Sequence, residues 1–298
     1  MRSGAEPDIS MIAVSMIWGM TFVAMKVLLG DISPGNLVLF RFLIAGLLFL
    51  PVIIILKLRL PLKDFCYLCL LSFFGVTLYQ LIWTSALSYG SIINVSIILY
   101  AAPIFTIFFN AVSGRTNMTF QRALSIGMGM VGLFIVMTHL GQTDQYHNTR
   151  AELYALGGSA MWSLYTLLSR PLLLRHSPLK IAMYSVVAGS MFLCFFAPSL
   201  VRVNQFAALS IAGWLTLIFI TVVSITAALP LWYKNAIMAG PVRAFAYQHM
   251  VPVFAALFAV LLDKERVYPF QLLGGFMIGG GMALEMRDFV RRGYERPA

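Results

Sequence analysis

The chain has 298 residues, of which 60% are hydrophobic and only 11% charged, with a formal net charge of +10. That balance excludes an ordinary soluble globular domain. A helix needs roughly 20 apolar residues to cross a hydrocarbon core, and the chain has room for about ten such segments.

Apolar stretches fall at about 9–29, 35–57, 66–88, 91–112, 120–139, 151–174, 178–200, 209–233, 241–262 and 268–286. Runs such as Leu43 to Leu56 lack the alternation of a transmembrane strand. Lipid also forces each segment to satisfy its own backbone amides. The expected fold class is therefore an all-α membrane protein with ten transmembrane helices. The first stretch follows a mixed-charge start (Arg2, Glu6, Asp8), lacks an Ala-x-Ala-like exit and is long enough to span, so it reads as a retained helix. Cys66-x-x-Cys69 opens the third stretch with no partner pair, and Cys194 stands alone. A structural role is expected for the pair, with no metal and no cofactor. The polar linker, Leu140 to Arg150, separates two halves, residues 1–145 and 146–298, read together as one domain. The basic tail, Arg287 to Ala298, reads as an orientation anchor.

Charge placement sets the orientation. With the N-terminus in the cytoplasm, that side collects fifteen of the 21 Lys and Arg residues, among them Lys57, Arg59, Lys63, Arg115, Arg122, Arg175, Arg243 and Arg292. The positive-inside rule then puts both termini in the cytoplasm, and the excess charge is a topology signal rather than a nucleic-acid surface. Lys26 and Arg41 read as anchors of the external end, with Asp31, away from any solute.

The two halves repeat each other at an offset of 144 to 150 residues. Trp18 recurs as Trp162, Ser33-Pro34 as Ser177-Pro178, Ala86 as Ala236, Pro103 as Pro252 and Gln121 as Gln271. Five spans per half is an odd number, so the repeats must lie in opposite orientations, an architecture shared by many alternating-access carriers. Ser125, Gly129 and Gly132 on the fifth helix and Gly275, Gly279 and Ala283 on the tenth offer small-residue faces for close packing. A monomer is expected, with a homodimer through such a face as the alternative.

Trp18-Gly19-x-Thr21-Phe22 followed by Lys26, Pro34 with Arg41-Phe42, Ala86-Leu87-Ser88-Tyr89, Pro103, Ala160-x-Trp162-x-x-Tyr165, Trp232-Tyr233, Pro252 and Gly274 to Gly281 occur in that order. In this the chain resembles the EamA-type branch of the drug/metabolite transporter superfamily, over nearly its whole length. The resemblance implies ten helices, two inverted EamA-like repeats and export or exchange of small metabolites. Where many members have a Gly-Glu pair after the fourth and ninth helices, this chain has Ser113-Gly114-Arg115 and Asp263-Lys264-Glu265.

Inverted-repeat carriers hold solute near the midplane, between the repeats. The candidates there are Trp18, Tyr79, Gln80, Trp83, Tyr100, Trp162, Tyr165, Tyr247, Gln248 and His249, with helix kinks at Pro103 and Pro252. All eleven carboxylates lie in termini, loops or span ends. Coupling through an intramembrane carboxylate is therefore not expected; His249 is the alternative, as a proton carrier near neutral pH. A lining of aromatics, amides and methionines without fixed mid-membrane charge suits neutral or zwitterionic metabolites such as amino acids. An embedded enzyme has no supporting motif: His139, His147, His176 and His249 are scattered, and neither His-Glu-x-x-His nor Gly-x-Ser-x-Gly occurs. A passive channel remains as a rival, and the expected location is a bacterial inner membrane.

Overall fold

The computed structural model describes residues 5–114, 116–139, 148–239 and 246–291, and all regular structure among them is helical. In chain order the helices are α1 (Ala5–Leu28), α2 (Pro34–Ile55), α3 (Leu62–Tyr89), α4 (Ile92–Val112), α5 (Phe120–Thr138), α6 (Thr149–Leu173), α7 (Pro178–Leu200), α8 (Ile211–Ile218 continuing to Ala239), α9 (Ala246–Leu261) and α10 (Pro269–Arg291). A short helix, Val203–Ala207, precedes α8. Arg2, Arg115, His147, Arg243, most of the predicted linker and the tail beyond Arg291 lie outside the described residues.

Seven of these helices are long and apolar enough to cross a membrane by length and composition. α6 and α10 are equally long but more polar, and α9 is shorter. The polar character of α6 has a structural cause. Ser159, Ser163 and Ser169 are buried in the bundle, where their hydroxyls bond to backbone carbonyls.

The packing repeats when helix numbers shift by five. α1 packs on α9 as α6 packs on α4, and α1 on α8 as α6 on α3. α2 meets α7, and α5 meets α10. Two serines, both exactly 144 residues apart in sequence, stitch equivalent places: Ser15 Oγ donates to the Tyr247 carbonyl at 2.7 Å, and Ser159 Oγ to the Leu99 carbonyl at 3.2 Å. The Leu99 bond has a clear origin. Pro103 has no N–H, so the carbonyl four residues earlier loses its helical donor, and α4 breaks at Ala101. Ser163 Oγ bonds to a second carbonyl beside the break, that of Ala102.

α3 and α8 each contain a π-helical stretch, Phe73–Leu78 and Phe219–Ala227. These overlap at the repeat offset, and no motif in the sequence announces them. In α3 the wide turn presses Gly75 against Tyr165, leaving a Cβ there only 2.1 Å from the ring.

The α5–α10 contact corrects the expected register. Gly132 and Ser125 face Gly274, Ile278 and Gly281, and Ser125 Oγ donates to the Gly281 carbonyl. Gly279 has open space, Gly275 only a distant neighbour at 4.0 Å, and Ala283 is exposed. Glycines at 274, 275 and 279 to 281 permit two small-residue faces one residue apart, and the face continuing to Met282 and Glu285 wins. A Cβ on Gly132 would lie 2.6 Å from the Gly274 carbonyl oxygen. Gly132→Ala is therefore expected to cost about 1–3 kcal/mol. Gly279→Ala should be neutral or stabilising by up to ~1 kcal/mol through helix propensity. Thermal unfolding in detergent checks the pair, and equal losses would restore the other register.

Beyond the core residues Met25, Leu28, Ile32, Leu37, Leu87 and Ile92, one end of the bundle is closed by polar groups. Lys26 Nζ donates to the Leu87 and Gly90 carbonyls at 2.8 and 2.7 Å, closing the C-terminal end of α3. It does so without an ion pair to Asp31. Glu265, in the loop before α10, accepts from Ser91 Oγ and from the Ile92 and Ile93 amides at the start of α4. Gln271 Nε2 donates to Asn94 Oδ1 at 2.6 Å, and His139 lies against Asn94 and Glu152. Burial pushes the Glu265 carboxyl up from its ordinary value, against the hydrogen bonds and Lys26, which favour its ionised form. Glu265→Gln keeps one acceptor oxygen but turns an NH₂ toward a donor, so it should lower the melting temperature only in part. Glu265→Ala strands the Ile92 donor, while the Ile93 amide keeps Ser91 Oγ, and should cost about 1–3 kcal/mol in the same assay.

Candidate functional site

A cavity of about 630 Å³ lies at the centre of the bundle, lined by residues of α1 to α4 and α6 to α10. Its lining reaches Asn110 and Met286, near the C-terminal ends of α4 and α10, but stops at Phe22, Arg41 and Trp83 in the other direction. Past those residues the packed end described above takes over. The cavity is thus deep on one side and extends toward the face on which α1 begins and α10 ends.

Nine of the ten candidate residues line it: Trp18, Tyr79, Gln80, Trp83, Tyr100, Trp162, Tyr165, Gln248 and His249. Trp18 Nε1 donates to the Ser224 carbonyl at 3.0 Å, and its ring lies 5.1 Å from Trp232. Trp162 sits between Tyr79 and Tyr165, with ring centroids 5.0 and 5.4 Å away. Trp83 is buried against Phe22 at 5.3 Å and donates to Gln80 Oε1 at 2.7 Å. That bond fixes the Gln80 amide so that its NH₂ is left for the cavity. The hydroxyls of Tyr79, Tyr100 and Tyr233 make no hydrogen bond to another described residue, whereas Tyr165 is tied to Ser185 at 2.9 Å. The result is an aromatic chamber with a few unengaged polar groups, a surface suited to a small amphipathic molecule.

Tyr247 is the exception among the candidates. Its ring packs with Met11, Val14 and Trp232 against α1, outside the cavity. Successive helical residues point about 100° apart, so Tyr247, Gln248 and His249 cannot all share one face. Pro103 contributes to the wall, while Pro252 sits in the first turn after the break at His249 and does not.

The expectation of a lining without fixed charge is also corrected. Arg41 is a wall residue, 3% exposed, and Glu285 is another. Glu285 Oε1 pairs with Arg122 Nε at 3.1 Å. The sequence signal for Arg41 was its place seven residues after Pro34, about two helical turns inside α2 and too deep for an end anchor. Ser185 and Ser224, which also line the wall, had no signal beyond the repeat.

Comparisons with known proteins agree with this architecture. The EamA-like transporter family matches the chain twice, over residues 7–138 and 149–286. A protein of Archaeoglobus fulgidus described as an uncharacterized transporter is 24% identical over 276 residues, covering 90% of this chain and 93% of its own. A protein of Streptantibioticus cattleyicolor, named a probable terminal-alkyne amino-acid exporter, is 22% identical over 289 residues, covering 95% and 94%. A solved crystal structure superposes with a TM-score of 0.64 at 16% identity over 99% of this chain and 100% of the other, so the two share a fold. Matched over both halves, and built as a multi-pass helical bundle around a central chamber, the chain belongs to the EamA-like transporter family.

Proposed function

We propose that this transporter is an exporter or exchanger of small neutral or zwitterionic metabolites such as amino acids, working by alternating access. Its two units, residues 1–145 and 146–298, are inverted five-helix repeats forming one transport domain with ten spans. The observation that carries this reading is the central chamber, open toward one face and packed shut toward the other. The shift-by-five packing and the paired π-helical stretches support the repeat. With both termini cytoplasmic, in a bacterial inner membrane, the conformation faces inward, ready to load a solute for export. The relative from Streptantibioticus cattleyicolor, by its name, favours amino acids.

Glu285 belongs to an ion pair near one mouth of the chamber, so the solute's own gradient is the proposed drive. The second reading, proton coupling, rests on His249 in the wall. Counterflow of a metabolite panel in proteoliposomes tests both. Uncoupled exchange predicts flux of neutral amino acids with no stoichiometric change in lumenal pH. A pH change abolished by His249→Ala would select the second reading, and flux without counterflow would indicate a passive channel.

A further inference from the structure

The deep end of the chamber carries a cation whose surroundings do not account for it. Arg41 is nine-tenths buried and more, yet it forms no ion pair with a carboxylate among the described residues. Its Nη1 points at the Met25 sulfur at 2.9 Å, its Nη2 reaches the Ile220 carbonyl only at 3.5 Å, its Nε has no hydrogen-bond partner, and its Cζ lies 5.9 Å from the Phe42 ring centroid, at the outer range of a cation–π contact. A thioether is a weak acceptor and 3.5 Å is the outer limit of a hydrogen bond, so a guanidinium with five donors is left largely unsatisfied. A buried charge in this condition is costly unless something anionic meets it.

The repeat sharpens the point. At the offset of 144 that relates Trp18 to Trp162, Arg41 corresponds to Ser185, also in the wall and engaged with Tyr165. The two halves therefore present different groups at equivalent places, a cation in one and a hydroxyl in the other. Symmetric packing does not require this, so the difference gives the chamber a polar axis. The same chamber is lined by the aromatic side chains Trp83, Tyr79 and Tyr100, which suit an apolar body, and such rings can also face an ammonium group.

We propose that Arg41 is the anion-recognising group of the solute site, and that the transported solute carries a carboxylate which docks on its guanidinium at the closed end of the chamber. The planar fork of the guanidinium matches a carboxylate by two parallel hydrogen bonds. The inference rests on the carrier reading above and refines it: a carboxylate is the group recognised, so amino acids, and apolar carboxylates that lack the ammonium group, are preferred over the matching amides and amines.

The test uses the full chain in proteoliposomes and four probes: L-phenylalanine, 3-phenylpropionate, L-phenylalaninamide and phenethylamine. The wild-type protein should exchange the first two, with KM at least about tenfold lower than for the amide or amine, the discrimination that a charge-assisted pair supplies. Arg41→Met should bring that ratio close to one, and Arg41→Lys should restore part of it. Equal exchange of acid and amide by the wild-type protein would overturn the inference without any variant, so a misfolded Arg41→Met leaves the question decidable. Retention of the acid preference in a folded Arg41→Met would also overturn it. If the protein exchanges only solutes lacking an anionic group, the carrier reading stands and this inference falls; if nothing exchanges, the carrier reading itself fails.

Discussion

Trp83→Ala is expected to abolish solute exchange and to destabilise the protein by about 3–5 kcal/mol, as large-to-small aromatic substitutions do in cores that cannot collapse. The size follows from where the ring sits. Trp83 is 6% exposed, packs on Phe22 and holds Gln80 through its indole N–H. Removing it opens a void between α1 and α3, frees the Gln80 amide to rotate and erases part of the chamber wall. Trp83→Phe separates the contributions. It keeps most of the volume and loses the hydrogen bond, so it should cost only about 1–2 kcal/mol while weakening exchange. Unfolding in detergent and counterflow measured on the same preparations would contradict this account if Trp83→Phe were as unstable as Trp83→Ala.

The double substitution Ser15→Ala with Ser159→Ala should rank next. Alanine removes only the hydroxyl, so each change leaves a carbonyl at a helix break without its side-chain donor. Such groups find no water in a membrane interior, and each loss should cost about 1–3 kcal/mol. The two sites lie in different halves and share no partner, so the costs should nearly add. Transport should fall further than stability, because these bonds hold the breaks in α4 and α9 beside Tyr100 and His249. Ser199→Ala, at an exposed serine, should stay within ~0.5 kcal/mol of the wild-type value and serves as the control. A double variant as stable as that control would show that the breaks need no stitching.

Much of this is legible in the sequence. Apolar run lengths placed the helices to within a few residues, because the bilayer dictates length and leaves little choice of structure. Trp18 and Trp162 were legible as a pair, and both reach the chamber. Tyr247 was misplaced because polarity alone nominated three neighbouring residues, whereas helical geometry admits only some of them. Arg41 was misplaced for the opposite reason: the cost of burying charge in lipid argues for the surface, but says nothing of a wall that a solute can reach. The π-helical stretches had no sequence signature; the one in α3 carries Gly75, which lies against Tyr165. The α5–α10 register was undecidable from runs of adjacent glycines, which fit either face until Val136 and Ile278 are packed around them.

The central claim is a chamber between two oppositely oriented units that opens to one face at a time, and sided thiol labelling tests it most directly. Thr106 lines the chamber on α4, and Cys66, Cys69 and Cys194 are the native thiols to remove first. In that background Thr106→Cys should react with an impermeant reagent from the cytoplasmic face of inverted vesicles in the conformation seen here. A saturating exchanged solute should redistribute that reactivity between the two faces. Reaction from both faces at once and at equal rates, unaffected by solute, would contradict the account.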